Sequence, residues 1–255
     1  MPKLSKALYE RLYAGFQAPV SRFDCGRKCA PLNGGTPVCC DSESAVPVAD
    51  IAEWQLLKGR TALWHLYQPT DAVGRKIKEE LPRTCRAIEC QGARHCERDN
   101  RTLACRAFPF FPYVTRQRQF IGLAQYWDFE DRCWVLSNMQ IVEPQFVVEF
   151  VNAFESVFAK DSAEWDTYVE HSATMRRVFS RWKRKIPLIH RDGGYFHIAP
   201  SSGAMQPCRA EDFAKLGPYK SEQAYALAVK EAEGILPVEG LAPALPAWPI
   251  KVAAE

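Results

Sequence analysis

An α+β fold is what this chain predicts: helices and short antiparallel β-hairpins, joined to a long cysteine-rich, loop-rich N-terminal region. Three observations carry it. Apolar residues recur at helical spacing in several stretches, two stretches alternate as hairpin strands do, and eight of the ten cysteines crowd into two blocks before residue 106. The hydrophobic share of 47% and the charged share of 25% are those of an ordinary folded protein. A chain of 255 residues also buries a sizeable core unaided, so the cysteines need a reason other than size.

Taken in order, Leu4, Leu8 and Leu12 predict a short amphipathic helix that feeds the first cysteine block. Pro47 suits the start of a second helix carrying Ile51, Trp54 and Leu57, and Gly59 suits its end. A further apolar-periodic stretch from Ala62 to Leu81, stopped by Pro82, predicts another helix before the second block. "FPFFPYVTRQRQFIGLAQYW" (108–127) reads as a hairpin, with Pro109 and Pro112 confining its first strand to an edge. Pro144 opens a helix in which Phe146, Phe150, Phe154 and Phe158 follow at i+4 steps and face a core. Asp161 with Glu164 resembles a capping box for the next helix, and "IPLIHRDGGYFHIA" (186–199) reads as two strands around Asp192-Gly193-Gly194. A last helix is expected over 221–234. The organisation predicted is a cysteine-rich metal-binding region over 1–112, an aromatic-rich α+β region over 113–236 packed on it, and a proline-rich arm over 237–255.

Charge and hydropathy narrow the function. A net charge of +3, with "RWKRK" (181–185) the one basic run and that at an expected helix end, gives no footprint for nucleic acid. The opening "MPKLSKALYERLYAGF" lacks the apolar run of a secretory signal. Glu149 and Glu155 break the longest apolar stretch, so no membrane span is expected. The expected compartment is the cytoplasm, where thiols stay reduced and clustered cysteines hold metals or do redox chemistry rather than form structural disulfides.

The first block is C-x3-C-x9-C-C, namely Cys25, Cys29, Cys39 and Cys40; the second holds Cys85, Cys90, Cys96 and Cys105. Eight thiols are the ligands of two tetrahedral centres, and all eight are candidate metal ligands. C-x3-C aims two sulfurs the same way across a turn. On an extended chain the adjacent Cys39 and Cys40 would point apart, one to a centre and the other to a second centre or the core. Gly34-Gly35 permits a sharp backbone approach whose amides would bond to sulfur. Six arginines (Arg83, Arg86, Arg94, Arg98, Arg101, Arg106) against three acids over 83–106 would offset the charge of a thiolate centre, and Arg86 and Arg106 are the candidates for contact with the cofactor. Neither block has the paired C-x2-C knuckles of zinc ribbons, and irregular spacing suits an iron–sulfur cluster, 4Fe–4S above all, with zinc the alternative.

These residues resemble the YkgJ-like, CxxCxxCC family of zinc- or iron-chelating domains. Cys25, Cys29, the Cys39-Cys40 pair, Cys90, Cys96, Cys105 and the ending "CRAFP" carry the resemblance, which spans about residues 20–112. The family writes its first group more tightly than the x3 and x9 gaps here. Flagellin lysine N-methylases resemble the same cysteine pattern, which implies chemistry on a protein side chain with a methyl donor; no G-x-G loop of a Rossmann methyltransferase accompanies it.

Among other groups, His95 precedes Cys96, and His190 and His197 would face each other on the late hairpin. Cys133 reads as a buried, inert thiol among aromatics, and Asp128, Glu130 and Asp131 as acids or cation ligands or, equally, as a solvated turn. G-x-S-x-G, P-loop and H-E-x-x-H motifs are missing, which leaves hydrolase and nucleotidase readings without support. Two readings stand: a cytoplasmic iron–sulfur protein, extending to an enzyme that modifies an amino-acid or peptide side chain, or a zinc-stapled binding or metal-handling module.

Overall fold

The Ser5 side chain accepts a hydrogen bond from the Leu8 amide and so starts α1 (Lys6–Gly15), whose buried face is Leu8, Tyr9, Leu12 and Tyr13. The computed structural model describes residues 4–42 and 45–232. The first cysteine block is wound rather than loose: one helical turn, α2 (Gly26–Cys29), runs into 3-10 turns over Ala30–Leu32 and Val38–Cys40.

A strand, β1 (Val48–Asp50), occupies the place where Pro47 predicts a helix start, and the Asp50 carboxylate caps α3 (Ile51–Arg60) by accepting from the Ala52 amide at 2.7 Å. The periodic stretch 62–81 divides into β2 (Trp64–Leu66) and α4 (Ala72–Glu80), with Pro69 between them and Asp71 capping the helix. The second block begins on a strand, β3 (Cys85–Cys90), not on a loop. Both departures have one cause, since β3 lies in the middle of a small antiparallel sheet of order β1-β3-β2 and recruits a strand on either side.

Thr102 caps α5 (Leu103–Ala107) through the Cys105 amide at 3.0 Å. The predicted hairpin follows as β4 (Phe110–Val114) and β5 (Phe120–Gln125), then 3-10 turns lead to α6 (Pro144–Phe158). Asp161 caps α7 (Ser162–Arg181) by accepting from the Ala163 and Glu164 amides, and the basic run begins where that helix ends. The second hairpin is β6 (Ile186–His190) with β7 (Tyr195–Ile198); an unpredicted β8 (Met205–Cys208) and α8 (Glu222–Ala232) complete the described chain. The larger sheet is an antiparallel meander of order β4-β5-β6-β7-β8. β4 is an edge strand, as Pro112 requires. At Gly122 a Cβ would lie 2.2 Å from the Ile189 carbonyl oxygen, so only glycine lets β5 and β6 meet there.

One cluster of buried side chains joins α1 and α3 (Tyr13, Leu57) to Ile88 of β3 and to Phe146 and Phe150 of α6. A second, with Phe111, Tyr113, Met175, Phe179 and Leu188, lies between α7 and the larger sheet. Cys29 and Cys133 belong to the first cluster, and Cys25, Cys90 and Cys105 pack at its margin. No helix among the described residues is long and apolar enough to cross a membrane. The expected arm over 237–255 lies outside the described residues.

Candidate metal centre

A cavity of about 660 Å³ opens at that margin of the core. Among the described residues eight of the ten cysteines line it: Cys25, Cys29, Cys39 and Cys40 from the first block, Cys90, Cys96 and Cys105 from the second, and Cys133 from the turns after β5. Residues separated by up to 108 positions thus meet around one space.

Each element aims its sulfur for a local reason. Cys25 and Cys29 flank a single helical turn at i and i+4, so both lie on one face, and the Cys29 thiol is 3.6 Å from the Gly26 carbonyl. Cys39 and Cys40 sit on a 3-10 turn, so the opposite aim expected of an extended chain does not apply and their sulfurs lie 3.8 Å apart. Cys90 ends β3, and the Gly92 amide, in a turn with φ +93°, donates to its sulfur at 3.4 Å. The Gly35 amide does not play this part, because it turns back to the Ala30 carbonyl at 2.8 Å. Arg101 Nε donates to Cys96 Sγ at 3.1 Å.

Burial drives several of these thiols, Cys25, Cys29, Cys105 and Cys133 among them, toward the protonated form. It pushes Cys29 up to about 11, Cys105 and Cys133 up to about 12, and Cys25 well up, while Cys40 is raised chiefly through its contact with Cys39. The thiols also raise one another, and the Arg101 guanidinium opposes this at Cys25, Cys40 and Cys105. An arrangement of buried sulfurs that disfavours its own ionisation is one that a bound cation relieves.

The donor set fits a thiolate-ligated metal, because the soft sulfur donors suit iron–sulfur clusters and zinc and not magnesium or calcium. No three Cys, His, Asp or Glu side chains among the described residues converge as ligands of one ion. The sulfurs line an open volume instead.

Two of the predicted site residues stand apart. Cys85 is at the far end of β3, about 16 Å from Cys90 at the usual rise per residue. The charges around it are the carboxylates of Glu164, Asp50 and Asp161, and its sulfur lies 3.9 Å from the Thr84 hydroxyl. Arg86 donates to the Arg83 and Cys85 carbonyls at 2.9 and 2.7 Å and does not line the cavity. Arg106 does line it, but its guanidinium is engaged with backbone. It donates to the carbonyls of Phe16, Arg98 and Asp99, its Nε to that of Arg101, and it lies 4.5 Å above the Tyr13 ring. It thereby fastens the segment that carries Cys96 and Arg101.

Cys133, read from sequence as inert, is buried yet belongs to the cavity wall. A single cysteine among aromatics has no spacing partner, so no sequence signal marks it. His95 is exposed outside the cavity. His190 and His197 do not face each other, because the register pairs His197 with Pro187. Glu130 is not a solvated turn residue but is buried, with Arg184 donating to it at 2.7 and 3.1 Å. Compared with known protein families, curated proteins and solved structures, the chain matches none.

Proposed function

We propose that the chain is a cysteine-ligated metalloprotein that holds iron–sulfur centres of the 4Fe–4S type in this cavity. The observation that carries the reading is the meeting of seven cysteines from two distant blocks, with Cys133, around a single space of about 660 Å³. Three further features support it: a wall rich in sulfur donors, whose carboxylates Asp24 and Glu89 already accept from the Gly26 amide and the Ser42 hydroxyl, the backbone amide and guanidinium that hydrogen-bond to Cys90 and Cys96, and the arginines Arg98, Arg101 and Arg106 on the wall. All ten cysteines are unpaired thiols, as a reducing compartment such as the cytoplasm requires.

A bound cluster supplies one-electron chemistry or a Lewis-acidic iron. The chain's own residues exclude water from it: Phe16, Trp64, Phe108 and Trp134 form apolar wall, while Arg22 and Ser42 leave polar groups at the same cavity. That mixed wall suits an amino-acid or peptide side chain, and the resemblance to flagellin lysine N-methylases makes methyl transfer the first reaction to try.

The test is anaerobic purification with counting of iron, acid-labile sulfide and zinc per chain. Iron and sulfide in equal amounts, with absorbance from sulfur-to-iron charge transfer, is the expected result. Stoichiometric zinc without sulfide would support the stapled binding module instead, and a metal-free, fully folded chain would overturn the metalloprotein reading. A methyl donor retained in the same preparation would support the enzymatic extension.

A further inference from the structure

Resting on the metalloprotein reading, we propose that the cavity holds two centres side by side, one on Cys25, Cys29, Cys133 and one of the vicinal pair Cys39-Cys40, the other on Cys90, Cys96, Cys105 and the second of that pair. The vicinal cysteines then form the wall between them, one sulfur to each side.

Three observations lead to this division. The count is right only when Cys85, about 16 Å away along β3, is left out and Cys133 is brought in: eight cavity sulfurs make two complete sets of four. The backbone sorts the sets. Cys25 and Cys29 share a helical turn, while Cys90, Cys96 and Cys105 come from the end of β3, the turn after it and α5. The vicinal cysteines, their sulfurs 3.8 Å apart on one 3-10 turn, give one sulfur to each set, which leaves Cys133 to complete the first. Burial of Cys133 at 6% exposure and its place in the core explain why it supplies a ligand without belonging to either cysteine block.

The full chain is reconstituted anaerobically with ferrous iron and sulfide, and separately with zinc, and its load is read by native mass spectrometry with chemical metal and sulfide analysis. Wild type should carry two equal increments. Cys133→Ala and Cys105→Ala should each lose one increment, about half the load, and Cys85→Ala should keep both. A wild type saturating at one increment, or a Cys133→Ala chain with an undiminished load, would overturn the proposal. Should Cys133→Ala fail to fold, the wild-type count decides alone. Two zinc ions would sink the iron–sulfur assignment and sustain this division, whereas a wild type that takes up neither metal would end both.

Discussion

At Arg101 a single guanidinium donates to one cavity thiol, Cys96, and favours the thiolate form of three others, Cys25, Cys40 and Cys105. Its replacement by alanine should weaken metal retention about 10- to 100-fold, the usual scale for a residue that supports a ligand, with lysine restoring part of the loss through charge alone. Competition with a chelator of known affinity measures this. The raised thiols set a pH dependence. In the metal-free protein Cys29, Cys105 and Cys133 sit near 11 to 12, so at pH 7 each is protonated and metal must displace the proton. Zinc uptake in weak buffer should release about four protons per four-cysteine centre, and affinity should rise with pH. A second pH dependence comes from Glu53, which does not line the cavity. Burial raises it to about 7 against the hydrogen bonds it accepts from the Leu103 amide at 2.6 Å and the Tyr13 hydroxyl at 2.7 Å. A carboxyl raised in the folded state contributes stability that is complete below its ordinary value of 4.5 and is lost as pH climbs through 7. The denaturation midpoint of the apo protein should therefore fall between pH 4.5 and 7, and Glu53→Gln should flatten that slope.

At the scale of elements, short turns and a strand end rather than loose loops hold the sulfurs, and the turn that carries Cys105 has a side-chain cap. Thr102, fully buried, caps the five-residue α5 on which Cys105 sits. Thr102→Ala should cost about 1 kcal/mol in denaturant melts and loosen Cys105, so metal should leave faster on chelation than from wild type. The aromatic stripe of α6 was legible because four phenylalanines at i+4 steps can lie on one face only, and Phe146 and Phe150 are indeed fully buried. The hairpins were equally legible from Pro112 at an edge and Gly193-Gly194 at a turn. β1, β2 and β3 were not, because β1 and β2, of three residues each, carry too little alternation to read, and the sheet exists only through their pairing with the six-residue β3.

Across the whole molecule the cavity lies at the margin of the core that joins both halves, while the five-stranded meander on α7 has its own buried cluster. Metal should thus order the cysteine-bearing turns more than the meander. Hydrogen exchange is expected to speed up over 23–42 and 85–106 once metal is stripped, with β5 and β6 still protected; uniform acceleration would mean that the two parts unfold together.

The sequence by itself determined the α+β class, the main helices and hairpins, and that clustered thiols outnumber any structural need for them, because periodicity, capping and residue chemistry are local properties. Only the tertiary structure decided which thiols meet. Cys85 and Cys90 share one short strand, yet an extended backbone separates its ends by about 16 Å, so one faces carboxylates and the other the cavity. Cys133 comes from beyond β5 and reaches the same cavity because the core folds the two halves of the chain together.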